Sequence, residues 1–317
     1  MTTSAIRVTE LGRRFGTVHA VDGLSFEVRP GETFGLLGHN GAGKTTTIRL
    51  VNGVLGRHAG DVEVLGLDPA VDGVGIRRRT GVLTETPSLD ERLSATENLA
   101  FFGRLYGVGD RGLAEQVGAL LAAFGLADRS VDRVATFSRG MKQRLALART
   151  LVHDPDILFL DEPTAALDPV AARDVHDLVE GFRRDKRRTV VLTTHNLVEA
   201  ERLCDRVVIM QRGRALALGS PAELARSVSA SRTVDIEVPE EHRAAAVEAL
   251  GRAGVGDVAA GDDGITLQVE RRDAIPAAVA LLARADVPIY RVAEREPDLE
   301  AAYFALHGRV PDGGTVE

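Results

Sequence analysis

The residues Gly38-His39-Asn40-Gly41-Ala42-Gly43-Lys44-Thr45 satisfy the spacing G-x-x-x-x-G-K-[ST] of a phosphate-binding loop. Glycine and lysine supply 33 and 3 of the 317 residues. At those frequencies only about 0.003 accidental matches are expected in the chain. The pattern follows from the chemistry. Glycines let successive backbone N–H groups converge on a β-phosphate, and a helix that opens there aims its positive end at the same anion. Lys44 brings a compact charge to the β- and γ-phosphates, and the Thr45 hydroxyl is a hard oxygen ligand for Mg2+. The expected nucleotide-binding set is the loop from Gly38 to Thr45 together with Thr46. The other lysines are Lys142 and Lys186, and arginine supplies every other basic residue.

Such a site needs acids opposite the loop. Ile157-Leu158-Phe159-Leu160-Asp161-Glu162 is an apolar run ending in two of them. Asp161 is expected to hold the Mg2+ shell, and Glu162 to polarise an attacking water. Adjacent acids also close many ordinary strands. Their pairing with a phosphate loop makes them a candidate site.

The elements that position these residues alternate short β-like runs with helical stretches over the first 230 residues or so. That rhythm predicts an α/β fold with a mainly parallel sheet. Strands are expected at Leu24–Val28, Thr33–Leu37, Val62–Leu65, Ile157–Leu160 and Thr189–Thr193. The last two are continuous apolar runs, as in strands buried on both faces. A helix is expected from Thr45 to Leu55. The stretch Thr96–Arg149 reads as helical, with breaks near Gly107–Asp110 and Gly125–Ser138. A hairpin around Gln211–Arg214 and a short helix Pro221–Ser227 close this part. After a polar linker, Ser227–Arg232, the pattern becomes strand Thr233–Val238, helix His242–Ala253, strand Gly264–Val269, helix Asp273–Ala285, strand Pro288–Val292 and helix Asp298–His307. This predicts a phosphate-binding part over residues 1–228, a small α+β domain over residues 233–308, and a flexible tail over residues 309–317.

Composition narrows the class. Hydrophobic residues make 44% and charged residues 27%, so whole-chain disorder is excluded. No apolar run reaches the roughly 18 residues of a membrane span, and Met1-Thr2-Thr3-Ser4-Ala5 does not open as a secretory leader. The single cysteine, Cys204, rules out an internal disulfide framework and reads as a small packed residue. The net charge of −7 is concentrated in residues 231–317, which hold nine Arg and no Lys against 17 Asp and Glu. Neither part carries the basic excess of a nucleic-acid binder, so no nucleic-acid partner is expected.

Further motifs bring a resemblance. Ser138-Arg139-Gly140-Met141-Lys142-Gln143-Arg144 looks like the signature segment of ATP-binding-cassette ATPases, usually Leu-Ser-Gly-Gly-Gln, and Leu145–Asp168 is closely similar to their shared core. The likeness covers about residues 5–225. It implies a P-loop cassette with a parallel core sheet, an antiparallel β subdomain and a helical subdomain. It further implies ATP hydrolysis with Mg2+. The family pattern places His195 as the switch histidine at the γ-phosphate and Phe15 as the aromatic stacking on adenine. It makes Asp168, in Ala165-Ala166-Leu167-Asp168, part of a dimer-facing loop, and Glu85 the Mg2+-contacting position usually filled by glutamine. Ser138, Arg139, Gly140 and Met141 would contact ATP held by a second copy. Arg139 replaces the first signature glycine, and Glu85 adds a negative charge near the metal.

Within the family, Phe137–Met141, Glu85 and the tail Glu296-Pro297-Asp298-Leu299-Glu300 resemble the drug-export branch that includes daunorubicin-resistance subunits. The resemblance implies a homodimer that docks on a separate permease at the cytoplasmic face of the membrane. The docking segment would be Glu85–Tyr106, where Leu99, Phe101, Phe102 and Tyr106 form an apolar cluster or simply core. The alternatives are a soluble cassette ATPase of translation or repair, an inactive nucleotide sensor, and an importer subunit. A ligand pocket in a ferredoxin-like C-terminal domain would favour the importer.

Overall fold

A computed structural model describes residues 4–165, 167–185, 188–228, 232–261, 263–295 and 298–308. The chain divides into two compact units, Met1–Pro221 and Ala222–Glu317.

In the first unit, strands β1 (Ile6–Phe15) and β2 (Val18–Val28) lead to β3 (Thr33–Leu37) and helix α1 (Lys44–Val51). Then follow β4 (Ala59–Val64), α2 (Pro69–Arg78), β5 (Thr80–Leu83), α3 (Ala95–Leu105), α4 (Asp110–Ala123) and α5 (Arg139–Thr150). The unit closes with β6 (Ile157–Asp161), α6 (Pro169–Asp185), β7 (Thr189–Thr194), α7 (Leu197–Leu203), β8 (Arg206–Gln211) and β9 (Arg214–Gly219).

The core sheet has six strands in the order β5-β6-β7-β3-β8-β9. All neighbours run parallel except the β8–β9 hairpin. Strands β3, β6 and β7 are buried along their whole length, which explains their apolar, non-alternating sequences. Leu37 pairs with Thr194 and Asp161 with Thr193, so these three strands end level. The carboxyl edge of such a sheet is where open α/β folds bind ligands.

A smaller antiparallel sheet has the order β2-β1-β4. Phe26 of β2 stacks on Phe34 of β3 at 5.2 Å and joins the two sheets. Here the sequence expectation was incomplete. Only Leu24–Val28 alternates cleanly, whereas the strand begins at Val18 and pairs with β1, which had not been expected. Register shifts between Val8 and Arg14 break the period-2 pattern that would have revealed β1. Helix α1 also stops at Val51 rather than Leu55, where the Asn52 side chain turns back to donate to the Ile48 carbonyl.

The second unit contains α8 (Pro221–Val228), β10 (Arg232–Glu237), α9 (Arg243–Ala253), β11 (Asp257–Gly261), β12 (Gly264–Val269), α10 (Ala274–Arg284), β13 (Arg291–Arg295) and α11 (Leu299–Gly308). From β10 to β13 this is a β-α-β-β-α-β ferredoxin-like arrangement, an antiparallel sheet in the order β11-β12-β10-β13. Val234, Ile236, Leu250, Leu267 and Leu282 form its core. The expected strand–helix pattern lacked β11, whose sequence Asp-Val-Ala-Ala-Gly has little β propensity. It also placed the last strand at Pro288–Val292, but Pro288 has no N–H to give a ladder. Pairing starts where the Tyr290 N–H donates to the Glu237 carbonyl. The division between units falls at Pro221, before the expected linker. A proline cannot extend the β9 ladder, so it opens α8 instead. The expected flexible tail at 309–317, linker residues 229–231, Ala166, Lys186, Glu296 and Pro297 lie outside the described residues.

Candidate functional site

The phosphate loop joins the carboxyl end of β3 to the first turn of α1. Gly43, the residue before that helix, has φ +105°, and a Cβ there would come 2.3 Å from the Ala20 carbonyl oxygen. No other residue type fits both constraints. Lys44 is buried and donates to the carbonyls of Gly38 and His39 at 2.6 and 3.3 Å. Its Nζ lies 3.1 Å from Glu162 Oε1. His39 Nδ1 lies 2.7 Å from the Asn40 carbonyl, both at the exposed rim of the loop. Ala42 is fully buried, and Thr46 is half-buried on α1.

The acids stand opposite the loop. Asp161 ends β6 and accepts from the Thr45 hydroxyl at 3.1 Å and from the Thr193 hydroxyl at 2.6 Å. Glu162 is buried at φ +50°, a left-handed conformation that costs a non-glycine residue about 1–3 kcal/mol. Its N–H is bonded to both the carbonyl and the hydroxyl of Thr193, at 3.2 and 3.0 Å, and these bonds hold the turn. Glu162 Oε2 accepts from His195 Nδ1 at 2.8 Å. A carboxylate has no hydrogen to offer, so Nδ1 carries the proton, and the imidazole is fixed with Nε2 on its other side. Glu162 Oε1 is buried without a hydrogen bond, since the nearby Lys44 ammonium lies off the bonding direction. An orphaned carboxylate oxygen beside a lysine and a half-exposed histidine can take a proton from a water. Thr193, which orders both acids, was not singled out in the sequence. Its position at the end of an apolar strand level with Asp161 was the available signal.

Glu85 lies exposed beyond β5 and lines a cavity of about 350 Å³ shared with Thr45, Arg49, Thr84 and Asp161. The donor set there is hydroxyl and carboxylate oxygen, which suits a hard divalent cation. Phe15, at the end of β1, is 46% exposed, with the Arg13 guanidinium 4.7 Å from its ring centroid.

The remaining predicted residues form a second group. Ser138 caps α5, its hydroxyl accepting from the Met141 N–H at 3.2 Å. Asp168 caps α6 by accepting from the Val170 and Ala171 N–H groups at 3.0 Å each. A Cβ on Gly140 would lie 2.8 Å from the Ala171 Cβ, so the signature helix packs closely against the start of α6. Ser138, Arg139 and Asp168 are exposed, and Met141 is partly so. Gln143 on α5 donates to the Pro163 carbonyl at 2.5 Å and ties this group to the segment after Glu162.

The apolar cluster of the helical region divides. Leu99 is fully buried core. Phe102 lies 4.6 Å below the Arg149 guanidinium, which also donates to the Ser88 carbonyl. Tyr106 stacks on His153 at 3.9 Å. Phe101 and Leu105 are exposed. Burial lowers the basicity of both Arg149 and His153 below their ordinary values; the Thr80 carbonyl 3.0 Å from His153 Nε2 only partly offsets this. In the second unit, a cavity of about 550 Å³ includes Asp235, Thr266, Arg291 and Arg295. Arg295 and Thr266 are committed to Asp235, at 2.7 and 3.2 Å.

A strand, a glycine loop, a helix and an acid at the end of another parallel strand of the same sheet define a P-loop nucleoside triphosphatase. The family profile described as ABC transporter matches residues 21–165. A fluoroquinolones export ATP-binding protein of Mycobacterium tuberculosis is 41% identical over 257 residues, covering 80% of this chain and 83% of its own. The daunorubicin resistance ATP-binding protein DrrA3 of Streptomyces coeruleorubidus is 36% identical over 318 residues, covering 97% of each chain. The solved structure of an ATP binding subunit of an ABC transporter superposes with a TM-score of 0.64 at 31% identity, covering 71% of this chain and 93% of its own. The chain belongs to the ABC transporter family and is one of its ATP-binding ATPase subunits. Among the described residues, no helix is long and apolar enough to cross a membrane.

Proposed function

We propose that this chain is the ATP-hydrolysing subunit of an exporter, acting at the cytoplasmic face of the membrane on a separate permease that passes a drug, antibiotic or related compound. The export relatives, matched along nearly the whole chain in one case, support the direction of transport. The observation that carries the enzymatic part is the convergence of Lys44, Glu162 and His195 at one sheet edge.

The loop N–H groups and Lys44 bind the triphosphate, with Lys44 leaving Glu162 to do so. Phe15 stacks on the base. Glu162 accepts the proton of the attacking water, and His195, held by its Nδ1 bond, stands beside it at the γ-phosphate end of the site. Thr45 and Asp161 would hold Mg2+, with Glu85 lining the same cavity; the ion supplies charge neutralisation to the phosphates. Ser138, Arg139, Gly140 and Met141 serve the nucleotide of a second copy, with Asp168 on the shared face. Exposure of Ser138, Arg139 and Asp168 supports that role. Phe101 and Leu105 are the apolar contribution to permease docking. The second unit is an accessory domain.

The test is recovery of the Glu162→Gln protein from membranes with ATP and Mg2+, with co-purifying chains identified. A polytopic permease of the export type is the expected partner. Ribosomal or repair proteins without any membrane protein would overturn the transport reading.

A further inference from the structure

Glu199 on α7 is 1% exposed and has no part in the chemistry above. Its Oε1 accepts from the Thr164 hydroxyl at 2.8 Å and lies 3.1 Å from His176 Nε2. Its own N–H donates to Asn196 Oδ1 at 3.2 Å. These partners belong to three different parts of the site. Thr164 lies two residues past Glu162, in the segment that leads to Asp168. His176 stands on α6, the helix that Asp168 caps. Asn196 follows His195 and caps α7. On the outer side of the same helix pair, Arg202 reaches Glu180 and Asp177 at 2.5 and 2.8 Å.

Stability alone does not account for this carboxylate. Burying one against a hydroxyl and an imidazole is expensive, and an apolar side chain of similar volume is commonly as stable or more so. What the carboxylate adds is directional. It fixes Thr164, and with it the turn on which Glu162 sits, relative to the helix that begins after His195. Thr193 orders the same turn from the opposite side through the Glu162 N–H.

We propose that Glu199 is a positioning residue for hydrolysis, which locks the Glu162–Thr164 turn to His195 and couples both to the Asp168 helix. This rests on the roles given to Glu162 and His195 above. The phosphate loop shares no bond with Glu199, so its loss should fall on turnover and spare nucleotide binding.

The test compares Glu199→Ala, Glu199→Gln and Thr164→Val in steady-state ATP hydrolysis, with thermal unfolding measured for each. Misplacing a reacting group by 1 Å can cost about 100-fold, so Glu199→Ala should lower kcat by roughly 10- to 100-fold with the KM for ATP nearly unchanged. Glu199→Gln keeps an acceptor for Thr164 and should recover most of the rate. Thr164→Val should reproduce the alanine defect, and combining it with Glu199→Ala should add little, because both remove one interaction. Arg202→Ala, which loosens the outer contact only, should lower stability and leave kcat unchanged. If Glu199→Ala does not fold, Glu199→Gln and Thr164→Val carry the test. A folded Glu199→Ala or Thr164→Val with wild-type kcat, or defects that simply multiply in the double variant, would overturn the inference. Glu162→Gln in the same assay separates the two layers. If it hydrolyses ATP normally, the site reading fails. If it is silent while Glu199→Ala is normal, only the positioning role fails.

Discussion

Glu162→Gln puts the site reading at greatest risk. The substitution keeps the size of the side chain and an oxygen for His195 to bond, but it removes the acceptor for a water proton. General base catalysis typically contributes about 100- to 10,000-fold, equivalent to roughly 2.7–5.5 kcal/mol of barrier. The charge removed has a second effect. Glu162 Oε1 lies 3.1 Å from Lys44 Nζ. At an effective dielectric of about 20, such a pair attracts with a gross energy of about 5 kcal/mol, much of it offset by desolvation. ATP must draw Lys44 away from this anion, so a neutral glutamine eases binding. The expected outcome is opposite movement of two quantities: phosphate release falls at least 100-fold, while the Kd for ATP stays the same or tightens. The first is read by a phosphate-release assay with Mg2+, the second by equilibrium titration with a fluorescent nucleotide. Wild-type turnover in a folded Glu162→Gln protein would refute the base assignment. A parallel loss of binding would refute the competition between Glu162 and phosphate for Lys44.

Other changes follow from the same geometry. Lys44→Ala removes a charge-assisted contact worth about 1.5–3 kcal/mol, so the Kd for ATP should rise roughly 10- to 150-fold in the same titration. Gly43→Ala meets both a positive φ and the Ala20 carbonyl, and should lower the Tm and abolish nucleotide binding; calorimetry and titration read the two losses. His153 has a lowered pKa because burial disfavours its charged form. The unfolded chain therefore takes the proton first, and stability should fall as pH drops through about 6.5 towards the lower folded value. Urea unfolding at pH 7.5 and 5.5 should show this loss, and His153→Phe should reduce it.

The phosphate loop and the acidic strand were legible because their chemistry is local: each function sits within a few consecutive residues. The parallel strands β3, β6 and β7 were legible for the same reason, since burial on both faces writes a continuous apolar run such as Ile157–Leu160, whereas the short edge strand β5 (Thr80–Leu83) was not. What escaped depends on distant pairing. β1 hides its alternation behind register shifts, and β11 consists of residues with little strand preference. Thr193 and Glu199 are ordinary polar residues in sequence, and they become meaningful only when β7 and α7 bring them beside Asp161 and Thr164. The aromatic cluster around Phe101 is only partly a unit: the Phe101 and Phe102 rings meet edge to face at 5.5 Å, but helical geometry gives the side chains different surroundings. Leu99 goes inward, Phe102 under Arg149, and Phe101 outward.

The scarcity of lysine has a practical corollary. Lys44 is only 6% exposed, and Lys142 is paired with Glu91 at the end of an exposed contact. Arginine, which covers most of the basic surface, does not react with acylating reagents at neutral pH. Amine-directed probes therefore meet very few competing targets on this chain. Lys44, buried and held by Glu162, should resist acylation while the loop is folded, so mass spectrometry of the peptide that contains it becomes a direct reporter of local unfolding at the phosphate loop.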